Sequence, residues 1–152
     1  SIGYESLTVT GRDRILLGHE REPSLLLSVE QGRLKLLSTI EQDQALKKLA
    51  EPTIDITGSD MHEGLLYTLH RSARAVCVRS IDDGISIGCG SYEHIENIPA
   101  LRYEDKRFGR SEGIAVNADS IFISLDHNSD KRENSDSDSS VIMVFKNPWT
   151  IM

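Results

Sequence analysis

The residues of this chain that could do chemistry are acids and imidazoles that recur at matching places. Glu5 opens a strand-like run, and His19 and Glu20 close the next one. Asp55 and His70 stand in the same relation further on, and Glu112 and Asp126 repeat it towards the other end. In an antiparallel pair joined by a tight turn, the start of the first strand lies beside the end of the second. Each unit therefore delivers an acid, and an acid or imidazole partner, to one rim if the three units surround a shared axis. Carboxylates gathered in this way repel one another when ionised. A hard cation such as Ca2+, which prefers oxygen ligands, would relieve that repulsion. Alternatively, one carboxyl stays protonated and serves as a general acid. The chemistry expected is that of a cation site or of general acid–base work at that rim. Glu5, Glu20, Asp55, Glu112 and Asp126 would be the candidate ligands, and His70 and Glu112 the candidate acid–base groups. The plainer expectation is that these side chains cap strand ends and bond to loop amides in solvent.

The elements that must position them are strands. Short runs rich in Ile, Leu, Val and Tyr are divided by Gly, Asp, Asn and Pro. The unit ESLTVTGRDRILLGHE from Glu5 recurs as IDITGSDMHEGLLYTLH from Ile54 and as EGIAVNADSIFISLD from Glu112. Second strands begin near Arg14, Gly64 and Ser120, a period of about 50–56 residues. A repeat of that length with several strands per unit predicts β-propeller blades. The fold class expected is all-β, a propeller-like single domain of about three four-stranded blades, over residues 3–40, 54–92 and 111–148. Residues 41–53 and 93–110 are the linkers. The third blade shows no fourth strand. In the first unit a tight polar turn joins the two strands; in the second the turn is centred on Met61 to Glu63; in the third it is Asn117-Ala118-Asp119. EQDQALKKLAE, from Glu41 to Glu51, is the one good helical candidate. A propeller closes with four to eight blades, so three would leave apolar flanks open. The expectations are a missing N-terminal part, favoured here, the association of two copies, or an irregular sheet assembly.

Composition bounds the rest. With 24 acidic and 17 basic residues the net charge is −7, which argues against a binder of the nucleic-acid backbone. No apolar run reaches the roughly 18–20 residues of a membrane-spanning helix. The opening SIGYESLTVTG is not a secretory signal and reads as the start of a strand. Cys77 and Cys89 lie symmetrically about Asp83, in two runs flanking the turn Asp82-Asp83-Gly84, and would face each other across a hairpin. The ordinary reading is two reduced, buried cysteines; a cross-strand disulfide is the alternative and would imply an oxidising compartment. Asp126 to Asp130 has the D-x-N-x-D start of a calcium loop, but Lys131 and Ser137 replace its Gly and Glu, so it reads as a mobile polar loop. Lys106, Arg107 and Arg110 could guide an anionic ligand, though such clusters are ordinarily solvated surface. His62 and His94 lack ligand spacing, and no nucleophile elbow or phosphate-binding glycine loop is present.

Glu112-Gly113-Ile114-Ala115, Leu125-Asp126-His127-Asn128 and Phe145 to Pro148 together resemble the C-terminal part of the phytase-like domain family, also labelled esterase-like activity of phytase. The segment from Asp55 to Arg74 is similar to that family's preceding D-I-S-G-L-D-Y repeat, with Ser59 where an apolar residue is usual. His127 stands where the family has Asn. The resemblance rests mainly on the last third of the chain. It implies a propeller-like fold in a longer, usually exported bacterial protein, periplasmic or secreted, and phosphoester or ester hydrolysis as the activity. Calcium-dependent propellers of the gluconolactonase and regucalcin group place an E-G acid on the channel, which by analogy of fold points to Glu112. The competing expectation is a non-catalytic propeller that binds a ligand or another protein through the same face.

Overall fold

Short apolar runs separated by turn residues form eleven strands in a computed structural model that describes residues 3–49, 54–104, 109–127, 130–133 and 139–149. Sheet I holds β1 (Tyr4–Val9), β2 (Arg14–His19), β3 (Leu25–Glu30) and β4 (Arg33–Thr39). Sheet II holds β5 (Gly58–His62), β6 (Leu65–His70), β7 (Ala75–Ser80) and β8 (Ser86–Ser91). Sheet III holds β9 (Ser111–Val116), β10 (Ser120–Leu125) and β11 (Val141–Lys146). Every sheet is an antiparallel meander in chain order. The fold is thus all-β, with three separate sheets of four, four and three strands among the described residues.

Turn chemistry fixes the registers. Gln31-Gly32 and Glu63-Gly64 both have positive φ at two successive residues, the conformation of a two-residue hairpin turn, and Gly takes the second place in each. The second of these moves the turn of sheet II one or two residues past the expected Met61 to Glu63, so Met61 belongs to β5. In sheet III the Asn117 side-chain oxygen accepts the Asp119 and Ser120 amides at 2.9 and 2.8 Å, an Asx turn.

The central strands of sheet II, β6 and β7, are buried on both faces, whereas Ile87 on the edge strand β8 is exposed. Leu66, Ala75 and Cys77 pack against Leu16 and Leu26 of sheet I. Tyr67, Leu69, Val76 and Val78 pack against Ile121, Ile123 and Leu125 of sheet III. The alternation of side chains along a strand sends neighbours to opposite faces, so one run such as LLYTLH serves both cores. The first strands β1, β5 and β9 are neighbours in that order. Thr8 Oγ1 meets Ser59 Oγ at 2.6 Å, and the Val116 amide donates to Asp60 Oδ2 at 2.7 Å.

Two expectations need correction. Of the helix expected over residues 41–51, the described part up to residue 49 forms a 3-10 turn at Ile40–Gln42 and one α turn, α1 (Gln44–Lys47). Asp43, in extended backbone, separates them and caps α1 by accepting the Ala45 and Leu46 amides. The pair of cysteines is oxidised: Cys77 and Cys89 lie opposite each other in β7 and β8, and their sulfurs are bonded. Register accounts for this, since directly paired positions bring the two Cα atoms to 4.1 Å. The 93–110 linker contains one further helical turn, α2 (Glu93–Glu96). No helix among the described residues is long and apolar enough to cross a membrane.

Candidate functional site

At one end of the three sheets the expected strand ends do meet. The Glu20 amide donates to Gly3 O at 2.9 Å, the Thr57 amide to Leu69 O at 3.0 Å, and the Asp126 amide to Arg110 O at 2.8 Å. The Ile56 amide donates to Glu20 O at 3.2 Å, which seats the entry to sheet II on the exit of β2. This backbone framework brings three of the expected acids to a single point.

That point is occupied by a cation of the chain itself. Arg71, the residue after β6, donates through Nη2 to Glu20 Oε1 at 2.8 Å and through Nη1 to Glu112 Oε1, and its Nε lies 3.7 Å from Asp55 Oδ2. Arg21 also donates to Glu20 Oε1. One guanidinium therefore joins an acid from each sheet or its approach: Glu20 beyond β2, Asp55 before β5, Glu112 on β9. Its planar fork of five donors suits that task as an ammonium would not. Asp55 is fully buried and also accepts the Ser72 hydroxyl at 2.8 Å and the Ser72 amide at 3.1 Å. Burial pushes the Asp55 carboxyl above the ordinary aspartate range, against the pull of Ser72 and Arg71. Glu112 is also raised, first by burial and further by the negative charges of Asp126 and Glu5, while Arg71 opposes the rise. Glu5 and Asp126 thus stand within electrostatic reach of Glu112 at the more open edge of the cluster.

His70 is placed apart from the carboxylates. It is fully buried; Nδ1 faces the Asp55 carbonyl oxygen at 2.5 Å and Nε2 faces Thr68 Oγ1 at 2.9 Å. Burial, aided by the Arg79 charge, lowers its pKa to about 3, which keeps the ring neutral. Arg79 is itself buried and holds Asp43 at 2.6 Å, Thr68 Oγ1 at 3.0 Å and Gly84 O at 3.2 Å. The imidazole therefore completes an internal network between sheets I and II and has no open approach to the rim.

Other candidates fall outside this cluster. Arg110 pairs with Asp130 at 2.7 Å and stacks over Tyr103; Lys106, Arg107, Asn128, Ser129 and Ser137 lie outside the described residues. Among the described residues no group of three or more His, Cys, Asp or Glu has the arrangement of a metal site. The residue that the reading of the sequence missed is Arg71. It follows His70 at the very rim where the acids were expected to converge, and their unbalanced charge was the signal that could have found it. No family model and no curated protein matches the chain.

Proposed function

We propose that this chain is part of a β-propeller of the phytase-like kind and works as a non-catalytic binding module, taking up a cationic ligand or a basic protein segment at its acidic rim. The observation that carries this reading is Arg71. An internal guanidinium already compensates Glu20, Asp55 and Glu112 at the place a metal would take, so those three acids serve to fasten the sheets. Among the described side chains of the rim, five acids stand against Arg21 and Arg71, a surplus of negative charge that would repel an anionic ester and attract a positive group. The order β1, β5, β9 of the inner strands and the stacking of each sheet on the next support the propeller part of the reading, as does the resemblance of the last third of the chain.

Metal-assisted ester hydrolysis is the second reading, favoured by the nearness of Glu5 and Asp126 to Glu112. Thermal-shift titration separates the two, with CaCl2, MgCl2 and a tetralysine peptide as probes on wild type and on the Glu5→Gln/Asp126→Asn variant. The binding module predicts that tetralysine raises Tm in wild type, less so in the variant and less at high salt. A calcium-dependent rise in Tm lost in the variant, together with turnover of p-nitrophenyl phosphate or acetate, would overturn it in favour of the hydrolase.

A further inference from the structure

The three sheets stack in one sense. In β2, β6 and β10 the second and fourth positions look back towards the preceding sheet, and the third and fifth look forward. Leu66 looks back to sheet I, and Ile121 and Ile123 to sheet II; Leu16 looks forward to sheet II, and Tyr67 and Leu69 to sheet III. Two faces are left over by this rule. The backward face of sheet I carries the cross-strand row Leu7–Leu17–Leu27–Leu36 and a parallel row from Val9 to Leu34. Leu7, Val9 and Leu34 are each 60 % exposed. The forward face of sheet III carries Ala115–Phe122–Val144 with Ile142, which is 68 % exposed. Leu27 in the middle of its row is already buried by its neighbours, and the exposed apolar side chains around it make a candidate interaction surface.

We propose that the occupant of both faces is a second copy of this chain. The forward face of sheet III in each copy covers the backward face of sheet I in the other, and six sheets close into one ring. The inference rests on the propeller reading above. The two unpaired faces are of opposite kind, one forward and one backward, which is the complement each needs and which no face-to-face pairing of like surfaces would supply. Such a head-to-tail junction makes a closed assembly only if the rotation returns on itself, and three plus three sheets falls within the four to eight that propellers use. β1 of one copy would then follow β9 of the other around the axis, as β5 follows β1 and β9 follows β5. Strand spacing and rise give the two faces about 380 and 280 Å2 of flat area. The two junctions together then bury roughly 1,300 Å2, within the range of about 1,200–2,000 Å2 for stable interfaces.

Light scattering coupled to size exclusion tests this on wild type, Leu17→Asp and Phe122→Asp, with far-UV circular dichroism as the folding control. Wild type should run at twice 16.9 kDa, each variant at the single mass, and an equimolar mixture of the variants should recover the dimer, because one junction remains intact. A monomeric wild type, or a mixture that stays monomeric, overturns the proposal. Loss of the dimer in Leu17→Asp alone also overturns it, since like faces of sheet I would then be paired. Tetralysine binding measured on the folded Leu17→Asp monomer reads the binding-module proposal separately, so either can fail without the other.

Discussion

Arg71 concentrates more of the molecule's electrostatics than any other side chain at the rim, because a fully buried carboxylate depends on it. Taking one partner from a buried pair leaves an uncompensated charge, whereas an exposed pair contributes little. Arg71→Ala should therefore lower the unfolding free energy by about 3 kcal/mol, read as a shift of the urea midpoint. Adding Asp55→Asn should recover part of the loss, since the stranded charge is then gone. An unchanged midpoint in Arg71→Ala would place the cluster among ordinary surface pairs. His70 makes a second prediction through pH. Its folded pKa of about 3 lies below the unfolded value of 6.5, so the unfolded chain takes up the proton first as the pH falls. The stability due to neutral His70 is complete above pH 6.5 and declines between 6.5 and 3, by about 1.4 kcal/mol per pH unit at the steepest. Asp55 and Glu112 act in the opposite direction: raised in the folded state, they cost stability when ionised, and acidification removes that cost. Wild-type Tm should fall more steeply from pH 6.5 to 4.5 than that of His70→Gln, and parallel curves would contradict the histidine's part. The acids were legible as residues because they recur at equivalent strand ends. Arg71 and Arg79 were not, since nothing in a local run tells a surface arginine from one held by acids of other elements.

Strands were the legible elements, and for a physical reason. The expected second strands near Arg14, Gly64 and Ser120 match β2, β6 and β10, which start at Arg14, Leu65 and Ser120. A period of two in side-chain direction, broken by turn residues that accept positive φ, is written locally. The Glu41–Glu51 helix was misjudged because composition favours a helix there while the Asp43 carboxylate is drawn into the Arg79 pair and cuts the run short. Close approach between elements is a property of the packed state and leaves no local pattern. Gly109 is the clearest instance. A Cβ there would come within 2.3 Å of the Arg71 carbonyl oxygen, a backbone atom that cannot swing aside. Gly109→Ala should cost about 1–3 kcal/mol and displace Arg71, so its urea midpoint should drop and tetralysine binding weaken with it. The β7–β8 pair carries the disulfide across a separation of 12 residues. Reduction should lower stability by about 3 kcal/mol on the chain-entropy account. Tm measured with and without a phosphine reductant checks this, and no change would mean that the hairpin turn already holds the two strands together.

At the scale of the molecule, sheet II is enclosed by two cores while sheets I and III each keep one apolar face in water. That asymmetry ties stability to concentration if the open faces are covered by another copy, because unfolding then requires dissociation. A hundredfold dilution changes the free energy of such a coupled equilibrium by about 2.7 kcal/mol. For an assembly of two such chains this should lower Tm by roughly 5 °C. Calorimetric scans of wild type over that concentration range should show the shift, and Leu17→Asp, with the backward face of sheet I blocked by a charge, should show none. A Tm independent of concentration in wild type would mean that both faces stand open in the native molecule. Their Leu, Val, Ile and Phe side chains would then be exposed apolar surface carried by a stable monomer, and each should bind a hydrophobic dye in proportion to its area. The Leu17→Asp and Phe122→Asp variants should each reduce that dye signal without altering Tm, which distinguishes two open faces from two that are mutually covered.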